Sequence, residues 1–321
     1  MTKSFAVITS GGDAPGMNSA LRSIVRSGIA AGYNVYGYYR GYQGIFAGEY
    51  EQMTSFSVSG LLSRGGSALG CARSAEMLEP DGPQRAAAKL KDQGMDALLA
   101  IGGDGTFRGL VELQKHGIKV IGLPGTIDND IPGLDRTIGF DTACDTLAWC
   151  INRLRDTAES HHRTFVVEAM GRHAGWLALH GGMAGGADVI LIPEIPWTPE
   201  EVVARLTQRS DEGRIFHLVV LAEGAGRATD LTDYIQSKMP PEFEVRACIP
   251  GHIQRGGVPT TVDRILGARA GYYAVQALNE GRSGIVVGQL LGQIVEVPLK
   301  LATSGSRKID LALYELALTI A

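Results

Sequence analysis

Cysteine is scarce: the 321 residues hold four, Cys71, Cys144, Cys150 and Cys248, with no CxxC pair and no metal-ligand spacing. Neither a disulfide framework nor a cysteine-built metal site is expected, and the four read as small buried apolar side chains in a reducing compartment. Long hydrophobic runs are missing too; none approaches the ~20 residues a membrane helix needs. Met1-Thr2-Lys3-Ser4 leads straight into a strand-like run without the regions of a secretion signal, so a cytoplasmic location and no membrane partner are expected. A large excess of charge of one sign is absent. Lys and Arg number 30 against 34 Asp and Glu, a formal net charge of -4 that offers no general attraction for nucleic acid.

Apolar residues make up 45% and charged residues 20%, enough for a sizeable core, and the length suits two α/β units. The unusual figure is 43 glycines, scattered as doublets after apolar runs with no Gly-x-y repeat. Glycine there lets a backbone turn sharply and approach a ligand. Short β-rich runs fall at 5–9, 96–101, 119–123, 164–168, 188–192 and 217–223. Amphipathic stretches fall at 17–30, 83–93, 106–116, 142–159, 175–183, 199–210 and 262–279. Continuous apolar strands alternating with helices predict an α/β fold with mainly parallel sheets covered on both faces, and a boundary between two domains near residue 140. In such folds ligands bind beyond the carboxyl ends of strands, where the glycine doublets lie.

Three loops carry the chemistry. Thr9-Ser10-Gly11-Gly12-Asp13-Ala14-Pro15-Gly16-Met17-Asn18 joins a strand to a helix, with bare N–H groups for an anion and Pro15 suited to the first helical turn. Ile101-Gly102-Gly103-Asp104-Gly105-Thr106 repeats the arrangement. Its glycines admit a triphosphate, Thr106 can cap the next helix or bond a phosphate oxygen, and Asp104 is placed for a magnesium ion. This string is neither G-x-G-x-x-G nor G-x-x-x-x-G-K-[ST], so a dinucleotide reductase or P-loop ATPase is unsupported. Pro124-Gly125-Thr126-Ile127-Asp128-Asn129-Asp130 offers two carboxylates at i and i+2, one to accept a proton and one for a metal or its waters. Trp149, Trp176 and Trp197 read as core or interface packing, and His161 and His162 as solvated histidines at a helix end.

These loops, with Glu168-Ala169-Met170-Gly171-Arg172 and Gly251-His252-Ile253-Gln254-Arg255-Gly256-Gly257, closely resemble the motifs of bacterial ATP-dependent 6-phosphofructokinases, in the same order and at nearly the same spacing. The resemblance covers essentially the whole chain and weakens through 224–245 and after about residue 280. It implies two Rossmann-like three-layer domains with the active site in the cleft between them. Residues 1–140 plus 256–303 would bind ATP, and 141–255 plus 304–321 fructose 6-phosphate. It further implies MgATP-dependent phosphorylation of the 1-hydroxyl of fructose 6-phosphate, with Asp128 as general base and Arg172 stabilising the moving phosphoryl group. Gly12, Arg73, Ser74, Gly103, Asp104, Gly105 and Thr106 would serve ATP, and Asp104 with Asp130 the Mg2+. Thr126 would orient the γ-phosphate and, with Ile127, adjoin the sugar phosphate. Arg163, Met170, Gly171, Glu223, Arg246, His252 and Arg255 would hold that substrate, Arg163 and Arg246 reaching it from a neighbouring subunit of a homotetramer.

Pyrophosphate-dependent relatives typically carry aspartate in place of Gly105 and lysine in place of Gly125, so glycine at both favours ATP. A pyrophosphate enzyme, a kinase for NAD or another sugar phosphate, and a non-catalytic sugar-phosphate sensor are the alternatives. The last would predict damage at Asp104, Asp128 or Arg172, and all three are intact. Arg22, Arg26, Arg155, Gly186, Asp188 and Arg214 match an effector site for ADP or phosphoenolpyruvate. Ser55, Glu212 and Phe216 replace basic residues there, which implies weaker or altered control. Ser74-Ala75 and Leu78 also depart from the usual aromatic, proline and arginine.

Overall fold

The computed structural model describes residues 3–241 and 243–321. In chain order the first elements are β1 (Ser4–Thr9), α1 (Met17–Ala30), β2 (Asn34–Tyr38), α2 (Tyr42–Ala47), β3 (Tyr50–Gln52) and α3 (Gly82–Asp92). Then come β4 (Ala97–Gly102), α4 (Asp104–Lys115), β5 (Lys119–Thr126), β6 (Ile138–Gly139), α5 (Phe140–His161) and β7 (Thr164–Ala169). They are followed by α6 (Trp176–Ala184), β8 (Val189–Leu191), α7 (Pro199–Asp211), β9 (His217–Ala222), α8 (Ala228–Lys238) and β10 (Val245–Cys248). The last are α9 (Thr261–Asn279), β11 (Ile285–Leu290), β12 (Gln293–Pro298), α10 (Leu299–Ala302) and α11 (Leu311–Ile320).

These make a mixed α/β protein with mainly parallel sheets, divided into two units. One comprises 1–127, 131–142 and 255–307; the other comprises 128–130, 143–254 and 308–321. The first unit is built on a sheet ordered β12-β11-β5-β4-β1-β2-β3, with β6 beside β5. Only its outermost pairs, β2–β3 and β11–β12, run antiparallel. In the second unit β10-β7-β9-β8 are all parallel. β4 and β9 are buried along their whole length, as strands covered by helices on both faces must be. The first unit's core gathers Ile8, Leu98, Phe107, Leu110 and Val286; the second gathers Val166, Val219, Leu221, Leu231 and Ile235.

The six expected strands and seven expected helices all form, most within two residues of their predicted ends. Thr198 closes a capping box with Glu201 at the start of α7, as the Thr-Pro-Glu-Glu string allows. Two expectations change. Pro15 lies two residues ahead of α1, whose cap is Gly16 in a left-handed conformation, so Pro15 shapes the turn and not the first helical turn. Only Cys150 is buried; Cys71 in a loop, Cys144 on α5 and Cys248 at the end of β10 are half-buried. Trp149 is exposed on α5, where the Arg153 guanidinium covers its ring at 4.1 Å; Trp176 is buried and Trp197 packs on the second core. His161 and His162 are exposed at the end of α5, as expected. Among the described residues no helix is long and apolar enough to cross a membrane.

Candidate active site

In the first unit the two glycine loops leave the adjacent strands β1 and β4 and are tied together. The Ser10 N–H donates to the Ile101 carbonyl at 3.0 Å. A methyl on Gly102 would stand 2.6 Å from the Ser10 carbonyl oxygen and would collide with the Thr106 hydroxyl, so only glycine lets the loops close up. Thr106 does not cap α4. That position belongs to Gly103, which supplies no side chain, and Thr106 lies three residues further on with a buried hydroxyl that has no hydrogen-bond partner. Its carbonyl accepts from the buried Tyr42 hydroxyl at 2.7 Å, a support that sequence reasoning missed. An uncapped helix start with an orphaned hydroxyl is suited to an anion.

Asp104 opens α4 and is held by Arg108 one turn on, with Arg108 Nε 3.1 Å from Oδ1 and Nη2 2.8 Å from Oδ2. A carboxylate so engaged keeps free lone pairs. Among the described residues no three His, Cys, Asp or Glu gather into a metal cage. A single carboxylate with open lone pairs is the kind of protein ligand used where magnesium is held mainly by substrate phosphates and water. The backbone of Gly12 lies against the Arg255 guanidinium, which donates to the Asp13 carbonyl at 3.2 Å. Arg73 is exposed. Ser74 Oγ accepts from the Met77 N–H at 3.3 Å and bonds Glu76, so it supports a short turn that leaves Leu78 88% exposed.

β5 runs further than its apolar pattern, through Gly125 and Thr126. Gly125 faces the core: a Cβ there would lie 2.8 Å from Ile101 and 2.9 Å from Met17. A side chain at 125 would therefore need Ile101 and Met17 to give way. Gly105 differs, since a Cβ there meets nothing within 4 Å. Thr126 pairs with Gly139 of β6, and its carbonyl accepts from the Thr137 hydroxyl at 2.6 Å. Asp263, fully buried in the first turn of α9, anchors this neighbour strand. Its carboxylate accepts from the Gly139 N–H (2.8 Å), the Thr142 N–H (2.8 Å) and the Thr142 hydroxyl (2.6 Å). Burial outweighs these bonds and pushes its pKa up to about 6. Beyond Ile127 come Asp128 and Asp130, both half-buried, on either side of a left-handed Asn129 (φ 52°).

In the second unit, β7 and β9 deliver a compact cluster. Glu223, just past β9, accepts with Oε1 from the Gly171 N–H at 3.1 Å and the Arg172 N–H at 2.7 Å. It holds a turn in which both residues have positive φ, 138° at Gly171 and 59° at Arg172. Strain of that kind at a non-glycine residue is a feature of functional loops. Gln254 is fully buried; its side-chain oxygen accepts from the Met170 N–H at 3.1 Å and its amide donates to the Gly251 carbonyl at 3.1 Å. It is a second residue whose role sequence reasoning missed, although a glutamine among glycines and apolar residues was the available signal. Arg172 and His252 are exposed. Arg163, just before β7, and Arg246, in β10, both bind the Glu244 carboxylate.

The candidate effector residues fall on both units. Arg22 and Arg26 lie on α1 in the first unit, where Arg26 donates to the Ser55 carbonyl at 3.4 Å. In the second unit Arg155 donates to the carbonyls of Gly185 and Gly186, the latter at 2.9 Å. Arg214 pairs with the buried Asp188 at 3.1 Å, whose other oxygen accepts from the Leu218 N–H at 2.8 Å. Asp188 therefore serves the internal joining of β8 and β9.

The chain matches the family model described as phosphofructokinase over residues 4–278. It is 47% identical over 315 residues to the ATP-dependent 6-phosphofructokinase of Clostridium botulinum strain Loch Maree, covering 98% of each chain. It is 48% identical over 322 residues to the ATP-dependent 6-phosphofructokinase 1 of Thermus thermophilus, covering 99% of each. Its fold matches a solved phosphofructokinase structure from Saccharomyces cerevisiae with a TM-score of 0.86 and 35% identity, over 99% of this chain and 46% of that one.

Proposed function

The chain belongs to the phosphofructokinase family, and on that premise we propose that it transfers the γ-phosphoryl group of ATP to the 1-hydroxyl of D-fructose 6-phosphate in glycolysis. The products are fructose 1,6-bisphosphate and ADP. Asp128 takes the hydroxyl proton as that oxygen bonds to the γ-phosphorus and the bond to the β-phosphate oxygen breaks. Arg172, exposed on a turn braced by Glu223, offsets charge on the moving group. Gly12, Arg73, Ser74, Gly103, Gly105 and Thr106 serve the nucleotide. The orphaned Thr106 hydroxyl and the uncapped start of α4 support that reading. Asp104 and Asp130 offer oxygens to a magnesium ion, which when bound neutralises phosphate charge. Thr126 orients the γ-phosphate, with Ile127 beside it. Met170, Gly171, Glu223, His252 and Arg255 hold the sugar phosphate, while Arg163 and Arg246 grip its 6-phosphate across a homotetramer interface.

The observation that supports the choice of donor is the open space at Gly105, which leaves room for a nucleotide where an aspartate would intrude. Initial rates with ATP or pyrophosphate, each with and without magnesium, test the reading. Turnover is expected with MgATP alone; an equal or faster rate with pyrophosphate would sink it. Asp128→Asn should lower kcat by about 10²–10⁴-fold. An ADP or phosphoenolpyruvate effector would bind at Arg22, Arg26, Arg155, Gly186, Asp188 and Arg214. Control there should be weak, because Arg155 and Arg214 already have partners within the chain and Phe216 stacks under Arg214 at 4.7 Å. Four cysteines without a CxxC pair or metal-ligand spacing support a reducing, cytoplasmic location.

A further inference from the structure

Arg163 and Arg246 meet at the same end of two adjacent parallel strands. Thr164 stands opposite Val245 and Phe165 opposite Arg246 in the β7–β10 pairing. Glu244 directly precedes β10, and its carbonyl accepts from the Thr164 N–H at 2.9 Å, which fixes the three residues side by side. The Glu244 carboxylate then divides itself: Arg163 Nε bonds Oε2, and Arg246 Nη2 bonds Oε1. The two arginines, Arg163 first, hold this carboxyl below the usual range. All three side chains remain partly open to solvent. Two guanidinium groups facing each other repel unless an anion lies between them, and a carboxylate fits each fork as a phosphate would.

We propose that Glu244 is a resident counter-anion for this arginine pair, which a phosphorylated ligand must displace from at least one guanidinium in order to bind. The inference rests on the reading that Arg163 and Arg246 grip the 6-phosphate. Glu244 acts through the two arginines: it occupies them before substrate arrives and competes with the phosphate for them, so it sets affinity without touching the sugar. A structural ion pair alone would affect stability and leave substrate affinity unchanged.

Glu244→Gln keeps the shape and removes the charge. The KM for fructose 6-phosphate should fall about two- to fivefold, the equivalent of one exposed ion pair, while the KM for ATP stays put. Glu244→Asp, too short to span both arginines, should lie between. Thermal unfolding of each variant establishes that it is folded at the assay temperature. An unchanged or raised KM for fructose 6-phosphate in folded Glu244→Gln overturns the inference. Arg163→Ser separates the two levels: it should raise that KM about tenfold or more, as loss of a charged hydrogen bond to phosphate does. If Arg163→Ser has no effect, the reading of the arginines has failed and the inference falls with it. If only Glu244→Gln has no effect, the arginines keep their role and Glu244 loses its own.

Discussion

Gly105 and Gly125 stand as equals in the sequence, since both mark places where pyrophosphate-using relatives carry a charged side chain. They are not equals in space. A side chain at 105 enters open space on the first turn of α4, so Gly105→Asp should fold with wild-type thermal stability and lose most of its activity with ATP. Helix propensity cannot account for such a loss, because aspartate is no worse than glycine in a helix. Gly125→Lys must push against Ile101 and Met17 and should lower the melting temperature markedly, since overpacking a core costs about 1–3 kcal/mol or more. Calorimetry with parallel ATP kinetics checks both; an undiminished ATP rate in Gly105→Asp would refute the donor argument. At this scale the sequence revealed which residues carry polar chemistry. It did not reveal which way a missing Cβ points.

At the scale of elements, α9 shows how a helix start can control a strand on the far side of the sequence. Asp263 follows the cap residue Thr260 by three positions, a spacing legible as a helix start. Its bonds to Gly139 and Thr142, across 124 and 121 residues, were not legible. The folded carboxyl titrates at about 6 against 3.8 for the ordinary group. The folded state thus binds this proton more tightly, so the contribution is full below about pH 4 and is lost as pH rises through about 6, by about 3 kcal/mol at most. Denaturant unfolding of wild type and Asp263→Asn across that range should show the wild type losing ground to the variant as pH rises. A constant difference would contradict it. The β11–β12 hairpin makes a related point. Leu291 and Gly292 both have positive φ, 50° and 76°, in a two-residue turn that normally announces itself with Asn-Gly or Asp-Gly. Leucine hid it, and both strands went unpredicted.

For the whole molecule, exposed apolar side chains mark where further assembly would be favoured. α9 exposes Val262, Ile265, Tyr272 and Tyr273, and α11 exposes Leu311, Leu316, Leu318 and Ile320. Light scattering on the purified protein should give a mass near four times the 34.1 kDa chain; a monomer at micromolar concentration would exclude an arginine pair supplied across a subunit interface. The sequence by itself determined the alternation of buried strands and amphipathic helices, the glycine loops at strand ends and the family to which these motifs belong. Such signals live in side-chain period and turn chemistry, which act over a few residues and need no folded context. Only the tertiary structure decided that Arg255 lies on Gly12 and bonds Asp13 across 242 positions, that Gln254 braces Met170, and that one carboxylate, Glu244, joins Arg163 to Arg246. The physical reason is that these contacts form when strand order and register bring distant segments together, and no local pattern of residues encodes that meeting.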